Sequence, residues 1–400
     1  MAIDWQEIRQ RFVPFDGHYL DGNSLGLCTK ASAEQAKLVL HEWQTLGIGG
    51  WFGADPPWLR MSREGGALCA PIVGAEPSRV IATGSTTANL HQGLATFYKP
   101  TPQRDRIVID DGCFPTDGYA VQSHLRMRGL PSSALERVPM RGDLFEEEDL
   151  IAAIESDGVA LAVLPVVVFS TGQLIDVERV QSAATAAGVT VLWDASHAAG
   201  SVPMRLDDWG CEYAFWCGYK YLNGGPGCVA FAYLREALEP GMAGWFGSSD
   251  EALFDMPSEL RPADGAARLQ QGTPHMLSLA PLLGSLSGFP AIGEVRQRSL
   301  ELTGHLLDRL DDTLAAHGFG TATPRDPSRR GGHVSLRHPD AERLVHALAK
   351  MNIVTDYRRP DLIRVAPVAL YNDEPDVDAV VEALVKLTST PTASAVGRRA

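Results

Sequence analysis

Four hundred residues, 45% hydrophobic and 21% charged, describe a soluble globular chain of enzyme size. With 35 basic against 49 acidic residues the net charge is −14, a poor match to a nucleic-acid phosphate backbone. No apolar run approaches the ~20 residues that span a bilayer, and the opening MAIDWQEIRQRF lacks the apolar core and cleavage site of an export signal. A cytoplasmic protein without membrane or nucleic-acid partners is expected. Its six cysteines (Cys28, Cys69, Cys113, Cys211, Cys217 and Cys228) show no metal-ligand spacing and read as reduced thiols.

Short apolar runs recur along the chain at Arg79–Ala82, Arg106–Ile109, Ala160–Phe169, Val189–Trp193, Ala214–Cys217 and Cys228–Tyr233. They have strand length, and several lack polar alternation, as strands covered on both faces do. Helical patterns fall between them. Glu147–Glu155 repeats at 3.6 residues, and Val177–Ala187 follows a capping Asp176 and stops at Gly188. Strand–helix alternation of this kind predicts an α/β domain with a mostly parallel, helix-covered sheet. After about residue 290 the texture changes. Val295, Leu302, Leu306, Leu310 and Leu314 make one face of a long amphipathic helix, and 320–332 reads as a loop. A strand (His333–Leu336), a helix (Ala341–Met351), two more strands and a last helix (Val377–Leu387) then predict a smaller α+β C-terminal domain. The expected organisation is an N-terminal segment (1–50) packed with the small domain, a large ligand-binding domain (51–290), the small domain (291–388) and a disordered tail (389–400).

The chemistry concentrates between Val189 and Gly227. Asp194 sits at the carboxyl end of a buried strand, where open α/β sheets bind ligands, and a carboxylate there needs a cation or several donors. Lys220 lies 26 residues on, past a second apolar strand. An Asp on a pyridinium nitrogen and a Lys that forms a Schiff base are the pair pyridoxal phosphate requires. Alone, Asp194 reads more readily as a turn or helix cap and Lys220 as a solvated side chain; His197, Tyr219 and the following glycines tip the balance. Thr83–Asn89 offers backbone N–H groups and hydroxyls at a helix start, an anion cradle or a simple Ser/Thr cap. Cys113–Asp117 offers Phe114 for stacking on a planar ring, or an ordinary turn with an Asp cap.

Motifs of one family run almost the whole length: YLDGNSLGL (Tyr19–Leu27), TGSTTANLH (Thr83–His91), FPTD (Phe114–Asp117), DASHAAG (Asp194–Gly200), WCGYKYLNGGPG (Trp216–Gly227), GWFG (Gly244–Gly247), QQGTP (Gln270–Pro274) and RRPDLIRVAPVALYN (Arg358–Asn372). In these the chain resembles the kynureninases, within the class-V-like branch of fold-type-I pyridoxal-phosphate enzymes. The resemblance implies hydrolysis of L-kynurenine, and of its 3-hydroxy derivative, to anthranilate or 3-hydroxyanthranilate and L-alanine in tryptophan degradation. Another pyridoxal-phosphate reaction (desulfurase, epimerase or secondary-metabolite lyase) and a cofactor-fold binder without catalysis are the alternatives.

The resemblance also implies roles by position. Lys220 would hold the cofactor aldehyde, Asp194 the ring nitrogen with His197 nearby, and Phe114 the ring face. Pro115, Thr116 and Asp117 would complete that loop's contact with the cofactor. Thr86, Thr87 and the Tyr219 hydroxyl would bind phosphate, and Tyr219 would also transfer protons during cleavage. Trp245 and Thr273 would reach the phosphate from the neighbouring subunit of a homodimer with shared sites. Arg364 would clamp the substrate carboxylate, unless it serves as an ordinary partner of an acidic side chain. Trp51, Ser24 and Asn23 would lie at the substrate's aromatic end, with core or interface packing the alternative for Trp51 and Trp245. The chain departs from animal members at Pro165–Phe169, apolar where they present a hydroxyl and an imidazole, and at Trp51, where they carry a histidine.

Overall fold

The computed structural model describes residues 3–389; the tail expected over 389–400 lies, beyond Ser389, outside the described residues. A seven-stranded sheet forms from Val80–Ala82 (β1), Arg106–Asp110 (β2), Leu135–Val138 (β3), Val159–Pro165 (β4), Thr190–Asp194 (β5), Tyr213–Cys217 (β6) and Ala230–Leu234 (β7). Their order is β1-β7-β6-β5-β4-β2-β3, with β7 antiparallel to both its neighbours and the rest parallel. Apolar side chains on both faces account for this: β6 and β7 are buried at every position, as a sheet sandwiched between helices requires. One core lies on the Trp193, Trp216 and Phe231 side and a second on the Ile109, Leu192 and Phe215 side.

Two expected runs are corrected. The Ala160–Phe169 run leaves the ladder at Pro165, because the chain turns back through Gly172 (φ 73°) to pair Val167 with Leu174. Val166, Val167 and Val168 are therefore core residues outside the sheet. The last strand begins at Ala230, which leaves Cys228 beyond the ladder. The helix after Asp176 stands as expected over Val177–Ala186. Asp176 accepts from the backbone N–H of Arg179, and Gly188 adopts φ 64°.

The C-terminal part carries a four-stranded antiparallel sheet: Gly320–Thr321 (β8), Val334–Arg337 (β9), Asp356–Arg358 (β10) and Leu362–Val365 (β11), ordered β10-β11-β9-β8. The short β8 falls in the segment expected to be a loop. The amphipathic helix runs Ile292–Asp312, buries Leu302 and packs Leu306, Leu307 and Leu310 on this sheet's core; Leu314 follows on a 3-10 turn, still buried. Contacts of the N-terminal segment divide. His18–Tyr19 pairs with Ile353–Val354, and Phe12 meets Tyr371. The Lys30–Leu46 helix instead docks on Met276–Leu286, where the Ser32 hydroxyl donates to the Pro281 carbonyl at 2.7 Å. Among the described residues no helix is long and apolar enough to cross a membrane.

Candidate active site

The carboxyl ends of β5 and β6 open onto a cavity of about 290 Å³ that takes in Asp194, Ser196, His197, Tyr219 and Lys220. Asp194 is fixed by its own turn, accepting from the Ser196 backbone N–H at 2.8 Å. Burial raises its carboxyl above the usual range, and the Ser196 contact and the Lys220 charge oppose that rise. Nζ of Lys220 lies 2.7 Å from Nε2 of His197. Burial, then the Lys220 charge, holds His197 well below its ordinary value, so the imidazole is neutral and accepts from the ammonium. Nδ1 of His197 and Oγ of Ser196 are buried without partners. A larger hollow of about 710 Å³ near Trp209 has no lysine or histidine in its lining, so chemistry selects the smaller one.

Two helix starts face the same cavity. Ser85 caps the Thr86–Phe97 helix, accepting from the Ala88 N–H, which leaves Ser85, Thr86 and Thr87 lining the cavity at a positive helix end. The Pro115–Met127 helix begins with Pro115 and brings in Phe114, Thr116 and Asp117; Pro115 itself is not part of the lining. Asp117 is buried, and burial plus the charges of Asp194 and Asp110 push its carboxyl well up, with Lys220 opposing. Phe169 closes this side, edge-on to Phe114 at 5.5 Å and 6.0 Å below the Arg364 guanidinium.

The far end is built by the small sheet and the N-terminal segment. Gly26 donates its N–H to the Tyr219 carbonyl at 2.7 Å; a Cβ there would sit 2.2 Å from Oδ1 of Asn223, so only glycine permits the approach. That docking delivers Asn23 and Ser24 to the cavity. Arg364, fully buried on β11, stands opposite Asp356 of β10 in the strand register. Its Nε donates to Oδ1 of Asp356 at 2.7 Å, its Nη2 to Oδ2 of Asp356 and to Oγ of Ser24 (3.1 Å), and its Nη1 to the Phe169 carbonyl (2.8 Å). The forked edge expected for a ligand carboxylate is thus turned on Asp356. Asn23, in the amide orientation that satisfies its neighbours, donates to Asp21 (3.1 Å) and accepts from Nε of Arg364 (3.3 Å).

Trp51, Trp245 and Thr273 do not line the cavity of their own chain. Trp51 sits in an aromatic cluster, 5.9 Å from Phe246, 6.5 Å from Trp58 and 6.3 Å from Phe254. Trp245 packs on Phe246 and Phe254 and remains 40% exposed, and Thr273 is exposed. Sequence reasoning missed Ser85, Phe169, Ser196, Cys228 and Arg358, all of which line the cavity. For Arg358 the signal was its two-residue spacing from Asp356 on one strand, which puts both side chains on the same face. Cys228 carried no such signal, because its run reads as strand.

An amine, a buried carboxylate, an aromatic face and a helix-start hydroxyl cluster around one cavity fit pyridoxal phosphate group by group. Lys220 suits the aldehyde, Asp194 the ring nitrogen, Phe114 the ring face, and Thr86 and Thr87 the phosphate. The unpartnered Ser196 and His197 atoms are further donors or acceptors beside the Asp194 turn.

The fold and this site define the fold-type-I architecture of pyridoxal-phosphate enzymes. Solved structures with the same fold include an apo cysteine desulfurase from Thermococcus onnurineus NA1 (TM-score 0.79, 17% identity, 97% of this chain and 99% of that one). Another is a C-DES lysine-to-alanine mutant with glycine covalently linked to the PLP cofactor (TM-score 0.81, 18% identity, 96% and 99%). Residues 295–384 match the family model of the kynureninase C-terminal domain. A kynureninase of Geobacillus thermodenitrificans is 45% identical over 383 residues, covering 94% of this chain and 89% of that protein. One of Shouchella clausii is 40% identical over 380 residues (93% and 88%). The chain belongs to the kynureninase family.

Proposed function

We propose that this chain is a pyridoxal-phosphate-dependent hydrolase that cleaves L-kynurenine to anthranilate and L-alanine, accepts the 3-hydroxy derivative, and works in the cytoplasm as a homodimer with shared sites. The observation that carries the reading is the convergence of Lys220, Asp194 and Arg364 on one cavity. A binder that merely kept the fold has no use for the lysine.

Bound in this cavity, pyridoxal phosphate supplies an electron sink for the substrate's α- and β-carbons. The chain's own residues do the rest. Asp194 would hold the ring nitrogen's proton, Phe114 would pack on the ring face with Pro115, Thr116 and Asp117 completing that loop, and Thr86, Thr87 and Tyr219 would donate to the phosphate. Arg364 orients the substrate carboxylate. Lys220 removes the proton from Cα, and water adds at the γ-carbonyl before the Cβ–Cγ bond breaks. Tyr219 moves protons at the carbonyl and at Cβ; burial raises its phenol above the usual value, so it stays protonated and available as an acid at neutral pH. His197 supports Lys220.

A desulfurase reading requires a thiolate. Cys228 lines the cavity, yet burial pushes its thiol up to about 12, which leaves it protonated at neutral pH. For the dimer, the support is an exposed apolar surface in which Phe52 (68% exposed) and Trp245 (40%) both contact Phe254 (42%). The deciding experiment gives cofactor-loaded protein L-kynurenine and follows anthranilate and alanine together. Equal release of both is expected. A spectral change without anthranilate would mean a relative with different chemistry.

A further inference from the structure

Arg364 has five N–H donors, and the structure commits four of its hydrogen bonds to protein acceptors. The Nε/Nη2 edge belongs to Asp356, and Ser24 and the Phe169 carbonyl draw on the other edge. A substrate carboxylate arriving at Arg364 therefore finds no complete two-pronged edge.

Arg358 is differently placed. It lines the same cavity, half-buried, and donates from Nη2 to Oδ2 of Asp356 at 2.6 Å, the oxygen that Nη2 of Arg364 also meets. Its Nε is buried without a partner. Asp356, Arg358 and Arg364 share one face of two neighbouring strands, so their side chains meet by register and not by chance of loop packing.

The charges point the same way. Burial alone would raise Asp356, but Arg364 and then Arg358 hold it below the usual carboxylate range. One carboxylate thus carries two guanidiniums. Asp21, the other acid that interacts with them, is pushed up to about 6 by burial and then by Asp356, so its charge costs more to hold than that of Asp356.

We propose that Arg358 is a second carboxylate-binding residue, and that the substrate's α-carboxylate bridges Arg358 and Arg364 while Asp356 positions both. This rests on the amino-acid-cleaving reading above and specifies how that substrate class is recognised.

The test compares two amines that differ by a carboxylate. Holoenzyme is titrated with L-alanine and with ethylamine, and binding is followed by the visible spectrum. Losing a charge-assisted contact corresponds to about a 10- to 100-fold loss of affinity. Arg358→Met is expected to weaken L-alanine by that factor and to leave ethylamine within about twofold. With L-kynurenine its KM rises and its kcat changes far less, as expected when binding is lost equally in ground and transition states. An L-alanine/ethylamine affinity ratio equal to the wild type's overturns the proposal. Should the methionine variant not fold, Arg358→Lys reads the same ratio: a smaller fall, about fivefold, is expected because a point charge replaces a planar fork, and an unchanged ratio again overturns it. Wild-type protein that binds L-alanine but releases no anthranilate refutes the kynurenine reading alone; full turnover with an unchanged variant ratio refutes the arginine pair alone.

Discussion

The amine of Lys220 and the imidazole of His197 meet at 2.7 Å across the ends of two parallel strands. The pairing works because burial and the Lys220 charge keep His197 neutral, so it can accept from the ammonium. Lys220→Ala removes the amine that this contact positions. Turnover of L-kynurenine is expected to fall by more than about a thousandfold, and borohydride is expected to fix no cofactor to the protein. A variant that kept full turnover would eliminate the assigned role.

Asp110 gives a stability prediction. It ends β2, is 1% exposed, and neither carboxylate oxygen has a hydrogen-bond partner. Burial, with a contribution from Asp194, pushes its carboxyl up to about 7. The native state therefore binds this proton more tightly than the unfolded chain, whose Asp titrates near 3.9. Between about pH 4 and 7 unfolding releases the proton, so this group's contribution to stability falls as pH rises through that window and is level above it. Asp110→Asn removes that slope. Urea denaturation should find the variant more stable than wild type at pH 8, on the order of 1–3 kcal/mol, and the difference should shrink toward pH 4. A difference independent of pH would dismiss the titration account.

The phosphate end predicts a binding effect. Thr87 offers its hydroxyl at the start of the Thr86–Phe97 helix, where N–H groups and the helix dipole already favour an anion. Thr87→Val keeps the shape and deletes one donor. Pyridoxal-phosphate affinity, measured by fluorescence titration of apoenzyme, is expected to fall by about tenfold. Unchanged affinity would move the phosphate away from this helix.

Much of this could be read from residues alone, and the exceptions have physical reasons. The helix after Asp176 and the strands ending at Asp194 and Cys217 follow from local signals that tertiary packing reinforces. Val166 to Phe169 misled because a buried turn and a buried strand are equally apolar; the fold alone reveals that Phe169 leaves the core for the cavity. Arg364 was legible through the family motif as a carboxylate-binding cation, whereas the acid it meets was not. Asp356 lies eight positions away, and antiparallel register decides that the two face each other. The aromatic cluster around Trp51 is assembled from distant segments, which no local pattern encodes.

Trp245 supplies the last prediction. It lies outside its own chain's cavity, exposed beside Phe254, and the proposed dimer would have it serve the neighbouring subunit's site. If it does, the site built on one chain's Lys220 uses the other chain's Trp245. Lys220→Ala and Trp245→Ala homodimers should each be inactive or nearly so. Unfolded and refolded together in equal amounts, half of the dimers are mixed, and each mixed dimer has one site free of both lesions. Activity should then recover to roughly a quarter of the wild-type value per subunit, because a closed two-fold dimer would contain two equivalent sites. An activity equal to the mean of the separate variants would mean that Trp245 acts within its own chain, and the shared-site arrangement would fall.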